Sequence, residues 1–167
     1  MEDIYHYRVS EYVDIDNVEQ YCYTNKTTWQ TCQSTKFWEK LFQDYQLPIK
    51  HPQRTVGGWV REFRNVQRAE LEANALLSKL DVQHQVTLTI HKASDIQFIG
   101  TLRGLNYIGT LTLTFENVED VYISVDVHYS PLQWDIPPEI LHYTQAFEWM
   151  FEAIYMALHQ NLVYEIN

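Results

Sequence analysis

The apolar residues of this chain change their spacing once, and that change limits the folds open to it. From Trp59 to Leu80 they fall three or four apart, at Trp59, Phe63, Val66, Ala69, Ala73, Leu76 and Leu80. From Val86 onward they alternate: Val86, Leu88 and Ile90, then Leu111, Leu113 and Phe115, then Val121, Ile123, Val125 and Val127. The first spacing matches the 3.6-residue turn and draws one stripe along a helix of about six turns. The second matches the two-residue period of a strand, which sends the aliphatics to one sheet face and Thr, Ser and Tyr to the other. Helices followed by strands, rather than alternating helix and strand, predict an α+β fold with an antiparallel sheet that is wet on one side. Ile96 and Phe98, with Thr101 and Leu102, read as a less regular strand, so three or four strands are expected.

Short helices precede the long one. Ile15, Val18, Tyr21 and Cys22 share a stripe that Asp14 or Asp16 can cap, and Trp29 and Cys32 continue the spacing. Phe37, Trp38, Leu41, Phe42 and Tyr45 form the next stripe, which Pro48 ends. At the other end, Pro137 and Pro138 after Asp135 read as the start of a helix reaching residue 162. Ile140, Thr144, Phe147, Phe151, Ile154 and Leu158 line its apolar side, which Trp149, Met150, Ala153, Met156 and Ala157 widen. A stripe through Gln145, Glu148, Glu152, Tyr155 and His159 is left polar. A helix apolar around most of its girth needs cover on more than one side, from the middle of a fold or from a second subunit. The expected organisation is one domain over 1–167: short helices in 14–46, a long helix over 57–80, the sheet over 86–128, and a helix over 138–162 packed on the dry sheet face.

A chain of 167 residues can bury a core of its own, and twelve Tyr, seven Phe and five Trp supply large rigid surfaces for it. The first residues, MEDIYHYRVSEYVDID, are acidic and polar, unlike a secretory leader. The most apolar run, Ala146 to Leu158, is short and carries Glu148 and Glu152, which argues against a membrane span. Cys22 and Cys32 are therefore expected to be buried thiols of an intracellular protein, and Asn25-Lys26-Thr27 a glycosylation pattern in form alone. The net charge of −10 is unevenly spread: residues 1–103 hold all twelve Lys and Arg against thirteen acids, while 104–167 hold nine acids and no Lys or Arg. Such a C-terminal part repels nucleic acid and acidic lipid and suits a basic partner.

Asp14-Ile15-Asp16, then Cys22-Tyr23-Thr24-Asn25-Lys26, then Cys32, then Phe37-Trp38-Glu39-Lys40-Leu41-Phe42 form a pattern over residues 14–45. It resembles the F-box-like segment near the start of uncharacterised proteins of large DNA viruses that infect amoebae, which implies a viral source, of the Marseillevirus type. The resemblance implies helices that serve as an interaction module or as an adaptor to host ubiquitin machinery. An F-box opens on a Leu-Pro dipeptide that meets the ligase subunit; the corresponding stretch here is YHYRVSEYVD.

Phosphate-loop, GxSxG, HExxH and EF-hand patterns are absent from the sequence, and no cofactor is expected. The metal or proton-transfer candidates are His91, Asp126 and His128, which share the parity of the wet face and meet if the first and last strands pair. Glu148 and Glu152 lie one turn apart, and with Trp149, Tyr155 and Met156 they are the candidates for a protein interface. Arg61, Arg64 and Arg68 make the one basic stripe, and Arg68 can pair with Glu72. The expectation is a non-enzymatic interaction or assembly protein, self-associating or bound to a host or viral protein, in the cytoplasm, nucleus or virion. An enzyme with its site on the wet sheet face is the alternative.

Overall fold

The computed structural model describes residues 17–93, 109–117, 120–129 and 132–167, with side chains for all of these but 92–93, 125–129 and 132–139. The caps expected of Asp14 and Asp16 and the strand expected around Ile96 to Leu102 lie outside the described residues. The architecture is α+β. The chain divides into two compact units, Met1–Gln67 and Arg68–Asn167, and the division falls inside one helix.

The first unit is helical: α1 (Val18–Tyr23), α2 (Lys26–Cys32), α3 (Thr35–Asp44) and the first half of α4 (Val56–Gln83). Asn25 fixes the α1–α2 corner. Its side-chain oxygen accepts the backbone N–H of Thr27 and Thr28 at 2.9 and 3.0 Å, and Thr28 Oγ1 accepts the Asn25 N–H at 3.1 Å. This reciprocal cap satisfies donors that a helix start leaves bare, and it gives Asn25 a structural use. Cys22 and Cys32 are joined in a disulfide, Cα to Cα 5.7 Å, which corrects the expectation of two thiols. Two helices that reverse direction within a few residues bring positions ten apart together, and neither stripe reveals that by itself. The core beside them is aromatic. Trp38 stacks on Trp59 with centroids 5.8 Å apart, and Phe42 meets Phe63 edge-on at 5.2 Å. The Trp38 indole N–H donates to the Cys32 carbonyl at 2.7 Å, so the ring is buried with its one polar atom satisfied.

Thr55 starts α4, accepting the Gly58 N–H on its hydroxyl at 3.0 Å. A Cβ at Gly58 would stand 2.8 Å from Gln53 Oε1 and 3.0 Å from the capping Thr55 Oγ1, so a larger residue there would require the Gln53 side chain to move aside. The stripe read from Trp59 to Leu80 is buried throughout. Glu62 is buried as well, at 2 % exposure, and accepts the His51 N–H at 2.9 Å.

The second unit contains the rest of α4, a five-stranded antiparallel sheet and α5 (Tyr143–His159). The strands are β1 (Gln85–Ala93), β2 (Gly109–Asn117), β3 (Val121–Tyr129), β4 (Leu132–Leu141) and β5 (Tyr164–Ile166), in spatial order β4-β3-β2-β1-β5. Val86, Leu88, Ile90, Leu111, Leu113, Phe115, Val121 and Ile123 are all buried, as the alternation requires. The helix α5 packs on the sheet. Full burial of such a side chain is worth about 1.5–3 kcal/mol, so this layer dominates the unit.

Pro137 and Pro138 do not start the last helix; they lie in β4, at the sheet edge, and His142 precedes α5. An edge strand tolerates proline because one row of its amides has no partner to lose. The β3–β4 register also shifts between Ile123 and Val125, so neither proline occupies a paired position. The helix stops at His159, short of residue 162, because Asn161 turns left-handed at φ 54° and the Leu162 N–H donates back to the Ala157 carbonyl at 2.8 Å. That reversal releases β5.

Gln46 (φ 55°) and His84 (φ 61°) end α3 and α4 in the same left-handed conformation, and both are exposed. A Cβ is strained there and glycine is not. Gln46→Gly and His84→Gly are each expected to raise unfolding free energy by about 0.5–1 kcal/mol in urea titrations, while Asn161→Gly changes it by only a few tenths.

Candidate functional site

The polar face of the sheet gathers the most side chains that are both ordered by strands and reachable. Thr87 of β1 faces Thr114 of β2, and Thr89 faces Thr112, with hydroxyl oxygens 3.5 Å apart in each pair. Ser124 of β3 stands opposite Thr114, and Tyr122 opposite Glu116. The Gln85 amide donates to Glu116 at 3.0 Å at one end of the array. All four threonines are half-buried, as expected of β-branched side chains packed shoulder to shoulder.

The register corrects the expected metal cluster. Because β2 lies between β1 and β3, the first strand does not pair with the one carrying Asp126 and His128. His91 instead borders β5. Its N–H donates to the Val163 carbonyl at 2.9 Å, and its ring Nε2 lies 3.5 Å from Glu165 Oε1. Asp126 has Thr112 on one side and Asp135 on the other, and His128 has Thr110 and Gln133. The side chains of Asp126, His128 and Asp135 lie outside the described ones.

Of the interface candidates on α5, Glu148 is exposed, and Glu152 and Met156 are half-buried. Trp149 and Tyr155 are buried within the chain, at 4 % and 3 % exposure, and so are withdrawn from a subunit interface. Tyr155 was read as part of the polar stripe. It belongs instead to a ladder of rings one turn apart, Phe147, Phe151, Tyr155 and His159, with centroids 6.2, 6.2 and 5.6 Å from one to the next. A phenol can join such a ladder, and hydrophobic spacing alone treats its hydroxyl as a reason not to.

The basic stripe of α4 is largely paired. Arg64 meets Glu19 at 2.7 Å, Arg68 meets Glu72 at 2.7 Å as its spacing predicted, and Arg61 is exposed. Arg68 also lies over the Tyr164 ring, 5.8 Å from its centroid. The Tyr164 hydroxyl donates to the other Glu72 oxygen at 2.5 Å, which ties β5 to α4. Burial, then the hydrogen bond to Glu72, pushes the Tyr164 phenol well above its ordinary range. Tyr143 is raised too, first by its hydrogen bond to Asp81.

No family model matches the chain, and comparison with curated proteins and with solved structures finds no match. Among the described residues, no helix is long and apolar enough to cross a membrane.

A phenol whose folded-state pKa is raised stabilises the fold fully below the unfolded value near 10, and that contribution is lost as pH climbs through the folded value. Unfolding stability is therefore expected to decline above pH 10, and Tyr164→Phe should flatten part of that decline. The same variant should cost about 1–2 kcal/mol at neutral pH, because Glu72 loses a charge-assisted hydrogen bond. Equilibrium denaturation at pH 7, 10 and 11 checks both.

Proposed function

We propose that this chain is a non-enzymatic interaction protein whose polar sheet face receives a basic protein partner. The observation that carries the reading is the threonine array itself, bordered by acids. Thr87, Thr89, Thr112 and Thr114 present hydroxyls from stiff side chains on paired strands, so little rotamer freedom is lost on contact. Glu116 and Glu165 flank the array, and Asp126 and Asp135 stand at directly opposed register positions in the same row as Thr112. Residues 104–167 hold nine acids and no Lys or Arg. A partner bearing Lys or Arg complements that charge and gains orientation from it.

Two copies meeting through this face would bring like charge to like, so the occupant fits a different chain better than a second copy. The F-box-like reading of residues 14–45 remains a proposal about the helical unit and makes no demand on the sheet.

The test is capture of the tagged protein's partners from the cells that produce it, beside the double variant Thr89→Arg/Thr112→Arg. A basic protein retained by the parent, released by added salt and lost from the variant is the expected result. A partner held equally by both proteins, or held at high salt by the variant, overturns the assignment of this face. Sedimentation of the purified protein should show no salt-sensitive self-association through it.

A further inference from the structure

α1 is six residues long, too short to persist on its own, and Asn17 offers it no side-chain cap. Among the described residues, noncovalent contacts hold it through buried Val18, the Tyr21–Phe37 stack at 6.1 Å, the Tyr23 ring against Trp29, and Glu19 paired with Arg64 in a half-exposed ion pair of small worth. A further tie is covalent, from Cys22 to Cys32. The other end of that bond is far better anchored. α2 has the reciprocal Asn25 cap, and the Cys32 carbonyl accepts the indole N–H of buried Trp38. Next to Cys22, the Tyr23 ring packs against Trp29 at 5.3 Å and is 55 % exposed, so the same corner presents an aromatic surface.

We propose that the Cys22–Cys32 pair is a redox device that controls the order of α1 and the presentation of Tyr23 and Trp29. In the oxidised state the bond holds α1 against the rigid α2. Reduction by a dithiol breaks the S–S bond and delivers two electrons and two protons, leaving two thiols here and one disulfide in the reductant. Re-oxidation passes the same electrons and protons to a small-molecule or protein disulfide, which leaves as two thiols. Both sulfurs have no exposure, so exchange in either direction waits for α1 to open, and the oxidised state outlasts brief contact with reductant. Once reduced, α1 keeps only its weaker contacts, while the caps and aromatic core that hold α2 and α3 are untouched. The device is independent of what the sheet face binds.

Alkylation of the unfolded full-length protein, purified without reductant and read by intact mass, gives the covalent state. No modification before reduction and two after it are expected; two free thiols before reduction overturn the proposal. Hydrogen exchange is then compared among the oxidised protein, the phosphine-reduced protein and the double variant Cys22→Ser/Cys32→Ser. Amides of 18–23 should exchange about a hundredfold faster in the last two, with 35–44 and 109–117 unchanged. Equal exchange over 18–23 would sink the device, and so would acceleration spread evenly over all three segments in the reduced wild-type protein.

Discussion

The dry face of the sheet and the broad apolar girth of α5 cannot both be left in water. Leu88, Leu111, Leu113 and Phe115 have no exposure at all, nor do Met150, Ala153 and Ile154 on the helix. A one-residue slip of any central strand would turn that set outward and bring the threonines in, so the same burial that stabilises the unit also fixes its register. The placement of Thr87 opposite Thr114 and of Asp126 opposite Asp135 follows from that register. The polar face is thus a by-product of core packing, held in position by residues on the opposite, buried face.

In the helical unit the organising interactions are different. Aromatic rings do much of what aliphatics do in the sheet, with Trp38, Trp59, Phe42 and Phe63 in mutual stacked and edge-on contacts. Their size lets short helices bury large areas, and the cap at Asn25 and the bond between Cys22 and Cys32 close the corner that the rings leave uncovered. In the second unit, Arg68 and Glu72 of α4 and Tyr164 form another closure, pinning a three-residue strand that would be marginal alone.

Much of the periodic structure was legible. The Trp59–Leu80 stripe, the alternation in three strands and the Arg68–Glu72 pair all rest on contacts between residues close in sequence or on one face of one element. Glu62 was legible too, and overlooked: 59, 62, 63 and 66 share a helical face, so its burial was implied by its neighbours. What spacing could not supply was anything decided by which strand lies beside which. His91 and Asp126 have the same parity, yet β2 separates their strands, and Asp135, from a segment read as the start of a helix, stands in the place His91 was expected to fill.

By itself the sequence determined the fold class, the long helix, the buried face of each central strand and the acidic character of residues 104–167, because each follows from composition or local period. Tertiary structure alone decided the five-strand order, the edge position that admits Pro137 and Pro138, the joining of Cys22 to Cys32 and the withdrawal of Trp149 and Tyr155 from the surface. These are meetings between residues or segments that local period does not relate. They are selected by how the packed layers fit together, and a one-dimensional pattern does not encode that fit.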